Sequence, residues 1–137
     1  MVPAMEFSEI SPGIDMVENA RIARILERGG EVFLQRTYTA GEVAYCRSHR
    51  DPVPRYAARF AAKEAVAKAL GTGIGAAASF REIEVVHSIR GGPEIVLHGQ
   101  AAATAASQQV VGITVSLTHT ELFAAASVIV QRRRCAD

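Results

Sequence analysis

Arg59-Phe60-Ala61-Ala62-Lys63-Glu64-Ala65-Val66-Ala67-Lys68-Ala69-Leu70-Gly71-Thr72-Gly73-Ile74-Gly75 is the stretch that decides the fold. Read back to Arg55, it predicts one long helix ending at Leu70, because alanine is the best helix former and Gly71 supplies a stop. Side chains four apart share a face, so Tyr56, Phe60, Glu64 and Lys68 form one ridge and Arg59 and Lys63 the neighbouring one. An acid among three bases can gather a metal and several phosphate oxygens. The plainer reading is a solvated face with a Glu64–Lys68 pair worth about 0.3–0.5 kcal/mol. The loop Gly71 to Gly75 can bring backbone N–H groups close to a phosphate. It lacks the Gly-Lys-Ser/Thr of a Walker loop and starts at the helix end whose dipole disfavours anions, so a simple helix stop also accounts for it.

Working outward, Ile10 to Val17 alternates as an edge strand would, and Pro12 costs that strand a donor, leaving one side unpaired or bulged. Asn19 is placed to cap a short amphipathic helix, Ala20 to Arg28, which Gly29-Gly30 ends. Glu31 to Arg36 adds a helical turn or two. Thr39 and Glu42 have the spacing of a capping box, and Ser48 to Pro54 is a loop. Beyond the glycine loop, Ile83 to His87 and Glu94 to His98 read as a hairpin across Gly91-Gly92-Pro93. Gln100 to Gln109 is an alanine-rich helix. Ile113 to Leu117 and Phe123 to Val130 are strands joined by a turn. Hairpins with helices segregated between them argue for an α+β domain with an antiparallel sheet.

The 137 residues fit one domain, 1–137, with a core at about 10–130 and a basic tail over 131–137. The chain is 49% hydrophobic but only 6% aromatic, without Trp, so its core is expected to be thin and built from Ala, Val, Ile and Leu. Oligomerisation is one remedy for the small area such a core buries. A net charge of +1 argues against a general polyanion binder such as a nucleic-acid protein. Cys46 and Cys135 show no zinc spacing and read as free thiols of a reducing cytosol. No apolar run approaches the roughly 20 residues that span a bilayer.

Other residues could also carry chemistry. Asp15, emerging from an apolar strand in Gly13-Ile14-Asp15, is either a ligand or a strand-end cap for the next helix. His119, in Ser116-Leu117-Thr118-His119-Thr120, suits phosphate binding or proton transfer, or is an exposed turn residue. A hydrolase reading of Ser116 lacks the Gly-x-Ser-x-Gly context. Arg21, Arg24 and Arg28 make a basic stripe on one helix face, fit for an acidic helical partner or simply solvated.

Taken in order, Gly13-Ile14-Asp15, Arg59-Phe60-Ala61-Ala62-Lys63-Glu64-Ala65, Lys68-Ala69-Leu70-Gly71-Thr72-Gly73-Ile74-Gly75 and Val115-Ser116-Leu117-Thr118-His119-Thr120 resemble the holo-(acyl-carrier-protein) synthases, the small bacterial phosphopantetheinyl transferases. The resemblance runs from about Ile10 to Val130. Two features depart from it: Ser11, followed by Pro12, stands where the family usually has a glycine, and Arg47 to Arg55 is individual. The arginine-rich segment after Val130 lies outside the resemblance.

The resemblance implies a phosphopantetheinyl transferase fold, a homotrimer with coenzyme A between subunits, and transfer of phosphopantetheine from coenzyme A to a serine of acyl carrier protein in fatty acid biosynthesis. It implies Mg²⁺ on Asp15 and Glu64, which suits a hard cation that keeps waters and takes one or two carboxylates plus substrate phosphates. Lys68 is then expected to neutralise the pyrophosphate or help protonate the leaving group. Arg59, Lys63 and His119 are expected on other coenzyme A phosphates, and Gly71, Thr72 and Gly73 beside the nucleotide or pantetheine. Arg21, Arg24 and Arg28 are expected to meet the carrier protein. Glu64, a metal-held water and bulk water all stay open as routes for the serine proton. A relative serving secondary-metabolite carrier domains and a nonenzymatic coenzyme A-binding module are the competing readings.

Overall fold

The computed structural model describes residues 8–133. In chain order the elements are β1 (Ser8–Glu18), α1 (Asn19–Thr37), α2 (Ala40–Arg47), α3 (Val53–Ala69), β2 (Ile83–His87), β3 (Pro93–Leu97), α4 (Gly99–Ser107), β4 (Val110–His119) and β5 (Phe123–Arg133). The strands form two antiparallel sheets, β1-β5-β4 and the hairpin β2-β3. The expected α+β arrangement is therefore present.

Helix α3 is the hub because its alanines let everything approach it. Ala57, Ala61, Ala62, Ala65 and Ala67 have no exposed surface, and Tyr56 and Phe60 are buried beside them. On the facing side of the sheet stand Val17, Ala124, Ala126, Val128 and Val130, all buried. Small side chains on both surfaces bring helix and sheet close at the packing density of a protein interior. β1 is an edge strand, hydrogen-bonded only to β5 among the described residues, which is where a sheet tolerates a proline such as Pro12. The outer side of this sheet carries Ile10, Ile14, Met16 and Ile129, which are 45–69% exposed.

Several local expectations hold and several are corrected. Gly30 kinks α1 where the sequence places its stop. Thr39 and Glu42 form both hydrogen bonds of the capping box. Asn19 does not cap: it lies inside α1 and its amide donates instead to the carbonyls of Thr120 and Glu121, pinning the β4–β5 turn. Lys68 does not pair with Glu64 but with Asp15 across on β1. The segment 131–133 is no tail, because β5 continues through Arg133 with Arg132 opposite Glu9. Cys46 is a buried free thiol, pushed up to about 11 mainly by that burial. Arg134 and Cys135 lie outside the described residues.

The main correction concerns Lys63. Its side chain is fully buried, and its three ammonium donors go to Glu42 Oε1 at 2.7 Å, the Phe80 carbonyl at 2.9 Å and the Ile83 carbonyl. Glu42 also accepts from the amides of Thr39 and Val85, each at 3.0 Å. This buried ion pair joins α2, α3 and β2, and it leaves Lys63 no donor for a phosphate. Burial lowers the Lys63 pKa and Glu42 opposes that shift. Lys63→Ala should cost about 3–5 kcal/mol in a denaturant melt at fixed protein concentration, since it strands the Glu42 charge. A Lys63→Ala protein of unchanged stability would return this residue to the list of phosphate ligands.

Candidate functional site

Gly13 is where strand and helix touch. A Cβ built there would sit 2.1 Å from the Ala65 carbonyl oxygen and 3.1 Å from the Ala69 Cβ, so only glycine lets β1 lie on α3 at this crossing. Alternation along the strand then puts Asp15 on the same side as Gly13 and Val17, facing the helix. Glu64 precedes Ala65 on α3, so the close approach is what sets the two carboxyl groups side by side.

The electrostatics of that corner follow. Burial, a side-chain hydrogen bond with Asp15 and the charge of Asp15, in that order, hold the Glu64 carboxyl above the usual carboxylate range. Lys68 and Arg21 pull it the other way. Lys68 Nζ lies 2.9 Å from Asp15 Oδ1 and 3.2 Å from the Ile14 carbonyl. The same Asp15 bond and charge push the Lys68 ammonium up. Among the described residues no group of three His, Cys, Asp or Glu side chains is placed to hold a metal. Two adjacent carboxylates with a lysine fit a hard divalent cation whose remaining ligands are water and substrate oxygens. From Lys68 the chain enters the glycine loop, where Gly71 and Gly73 adopt φ of 79° and 65°, values that favour glycine. Thr72 bonds its own neighbour, Gly73 O, at 2.8 Å.

At the other end of α3 lies a basic corner. Arg59 is buried, with its guanidinium 4.1 Å from the Tyr45 ring centroid and Nη2 2.9 Å from His87 Nε2. Arg55 Nη1 is 3.4 Å from His119 Nδ1. These four residues, Arg55, Arg59, His87 and His119, line a cleft of about 350 Å³. Arg55 and His119 also border a wider one of about 690 Å³, with His49 and Arg50 and the acids Asp51 and Glu121. Among the described residues neither Arg55 nor Arg59 has an acidic partner, and the Nε atom of each is buried without one. Uncompensated guanidinium groups in a cleft are suited to an anion.

Asp15, Glu64 and Lys68 are thus brought together, as are Arg59 and His119. Asp15 and His119 share the helix-facing side of the sheet but stand on strands separated by β5, roughly 10 Å apart. Arg21, Arg24 and Arg28 are all exposed on α1, with Arg21 lying 5.9 Å from the Phe60 ring centroid and acting on Glu64. Arg55, His87 and Tyr45 were not among the sequence candidates. Arg55 alone had left a trace, four residues before Arg59 on the same ridge.

Residues 11–126 match the 4'-phosphopantetheinyl transferase superfamily. The holo-[acyl-carrier-protein] synthase of Carboxydothermus hydrogenoformans is 48% identical over 122 residues, covering 89% of this chain and 98% of that protein. The crystal structure of the Neisseria meningitidis synthase superposes with a TM-score of 0.81 at 35% identity, over 88% of this chain and 96% of that one. The Helicobacter pylori synthase, solved in complex with coenzyme A, gives 0.78 at 34% identity, over 87% and 98%.

Two outcomes test the geometry. Gly13→Ala should lower stability by about 1–3 kcal/mol, the cost of forcing strand and helix apart. Asp15→Asn should bring the Glu64 titration, followed by carboxyl ¹³C NMR on metal-free protein, down toward the ordinary range, because Asp15's hydrogen bond and charge both hold it up. An unmoved titration would show that the two carboxyls are not neighbours. By sequence, by fold and by the order of its motifs, this chain belongs to the holo-[acyl-carrier-protein] synthases of the phosphopantetheinyl transferase superfamily.

Proposed function

We propose that this chain transfers 4'-phosphopantetheine from coenzyme A to a serine of apo acyl carrier protein, releasing 3',5'-ADP, with Mg²⁺ as cofactor. The observation that carries the reading is the corner formed by Asp15, Glu64 and Lys68. Names among the relatives point the same way: holo-[acyl-carrier-protein] synthases, one of them crystallised with coenzyme A.

The serine oxygen attacks the phosphorus that bears the pantetheine arm and gives up its proton, to Glu64 or to water. The pyrophosphate P–O bond breaks, and 3',5'-ADP leaves with the electron pair. Asp15 and Glu64 would hold Mg²⁺, which offsets charge on the pyrophosphate and the leaving group when bound. Lys68, fixed beside Asp15, adds a cation that can neutralise the same oxygens or supply a proton. Arg59 and Arg55 offer the uncompensated charge that phosphates of the nucleotide end require, and His119 adds an imidazole beside them. Gly71, Thr72 and Gly73 border the site by backbone alone. Arg21, Arg24 and Arg28 present an exposed basic face to an acidic carrier protein, here that of fatty acid biosynthesis in the cytosol. The acid corner and the basic cleft stand at opposite edges of one sheet, which suits coenzyme A shared between subunits. The apolar outer face with Ile10, Ile14, Met16 and Ile129 is the surface a homotrimer would cover.

The test is mass spectrometry of apo acyl carrier protein incubated with coenzyme A, Mg²⁺ and this protein. One phosphopantetheine mass should be gained, and EDTA should abolish it. Asp15→Ala and Glu64→Ala should each slow the reaction by about 100-fold or more, in line with several kcal/mol from the metal. KM for the carrier protein should rise steeply with salt, and less so in Arg24→Ala and Arg28→Ala proteins. No mass gain with several carrier proteins from folded enzyme would refute the transferase reading.

A further inference from the structure

A helix leaves its last four carbonyls without partners inside the helix. At the end of α3, Ala67 O accepts from the amides of Thr72 and Gly73 at 3.2 and 3.1 Å, and Lys68 O from that of Gly71 at 2.9 Å. Ala69 O and Leu70 O are met by side chains from far along the chain. Gln108 Nε2 donates to Leu70 O at 2.9 Å, and Arg132 Nη2 donates to Ala69 O at 3.3 Å and to Gln108 Oε1 at 2.6 Å. The other nitrogen of the same guanidinium, Arg132 Nη1, donates to Ser11 Oγ. One half-buried, planar cation therefore joins β5, β1 and the C-terminus of α3, at the end of the helix dipole that favours positive charge.

Both ends of this bridge are features the proposed function leaves unused. Ser11 stands where a glycine would have offered no acceptor, and Arg132 lies past the region of resemblance. The bridge reaches β1 two residues before Gly13 and α3 one residue after Lys68, and the Gly71–Gly75 loop starts directly beyond it. We infer that Arg132, working through Ser11 and Gln108, is a positioning residue for coenzyme A: it fixes the Asp15 strand and the glycine loop relative to Lys68 without touching the substrate. The inference rests on the reading of the acid corner and loop as the coenzyme A site. A lysine keeps the charge but lacks the planar fork that spans both sides, so the chemistry asks for arginine.

The experiment compares the full-length enzyme with Arg132→Met, Arg132→Lys and Ser11→Ala, measuring kcat, both KM values and amide exchange. Arg132→Met should raise KM for coenzyme A by about tenfold with KM for the carrier protein unchanged. It should also release the Thr72 and Gly73 amides to exchange while those in the middle of α3 stay protected. Arg132→Lys should restore only part of this. Ser11→Ala should shift the same constant less, and should add nothing in the Arg132→Met background. If Arg132→Met does not fold, Ser11→Ala, which deletes a single contact, carries the same comparison. A wild-type enzyme that transfers normally, beside an Arg132→Met enzyme with unchanged coenzyme A KM, overturns the inference alone, whatever the change in melting temperature. A wild-type chain that transfers nothing sinks the proposed function, and leaves Arg132 a structural cap with no positioning role.

Discussion

Strand β1 lies directly on α3 because Gly13 carries no side chain where they cross and the helix presents only alanines there. Gly13 faces the Ala65 carbonyl at a distance no Cβ could occupy, and Ala69 stands one helical turn further on. That contact sets the height of the strand above the helix and, through the alternation of the strand, the side from which Asp15 meets Glu64. Lys68, one turn beyond Glu64, then finds Asp15 rather than its own helical neighbour. The alanine-rich composition is therefore the condition for two acidic groups on different elements to share one corner.

Charge in this fold is divided between structure and chemistry. Lys63 and Glu42 are withdrawn completely: every ammonium proton is placed, and the pair holds three elements together. Asp15, Glu64 and Lys68 are left half satisfied, with two carboxyl groups adjacent and that of Glu64 held above its usual range, the condition an added cation would relieve. Arg55 and Arg59 show the opposite imbalance, cations gathered in one cleft with no ion pair to an acid among the described residues. Two imbalances of opposite sign at the two ends of one helix match a ligand that carries both a metal-bridged pyrophosphate and a further phosphate.

The helix and its stop were legible because alanine and glycine act locally, and the capping box of Thr39 and Glu42 was legible for the same reason. The 3.6-residue period told which residues share a ridge but not which ridge faces the core. The resemblance places Lys63 among the phosphate ligands, and nothing local contradicts it, because its buried partner Glu42 sits 21 residues earlier. Asn19 looked like a cap, but the β4–β5 turn, about a hundred residues on, competes for its amide and wins. Arg132 and Ser11 lie 121 residues apart, a pairing that no periodicity encodes. The acid pair was placed by resemblance, and its physical cause, the Gly13 crossing, emerges only when strand and helix are seen together.

The most direct test of the shared acid corner is electron paramagnetic resonance of Mn²⁺, standing in for Mg²⁺, titrated with and without coenzyme A. The account predicts one Mn²⁺ site per chain that tightens when coenzyme A is present and is lost in both Asp15→Asn and Glu64→Gln proteins. Mn²⁺ binding that survives either substitution, or that ignores coenzyme A, would contradict it.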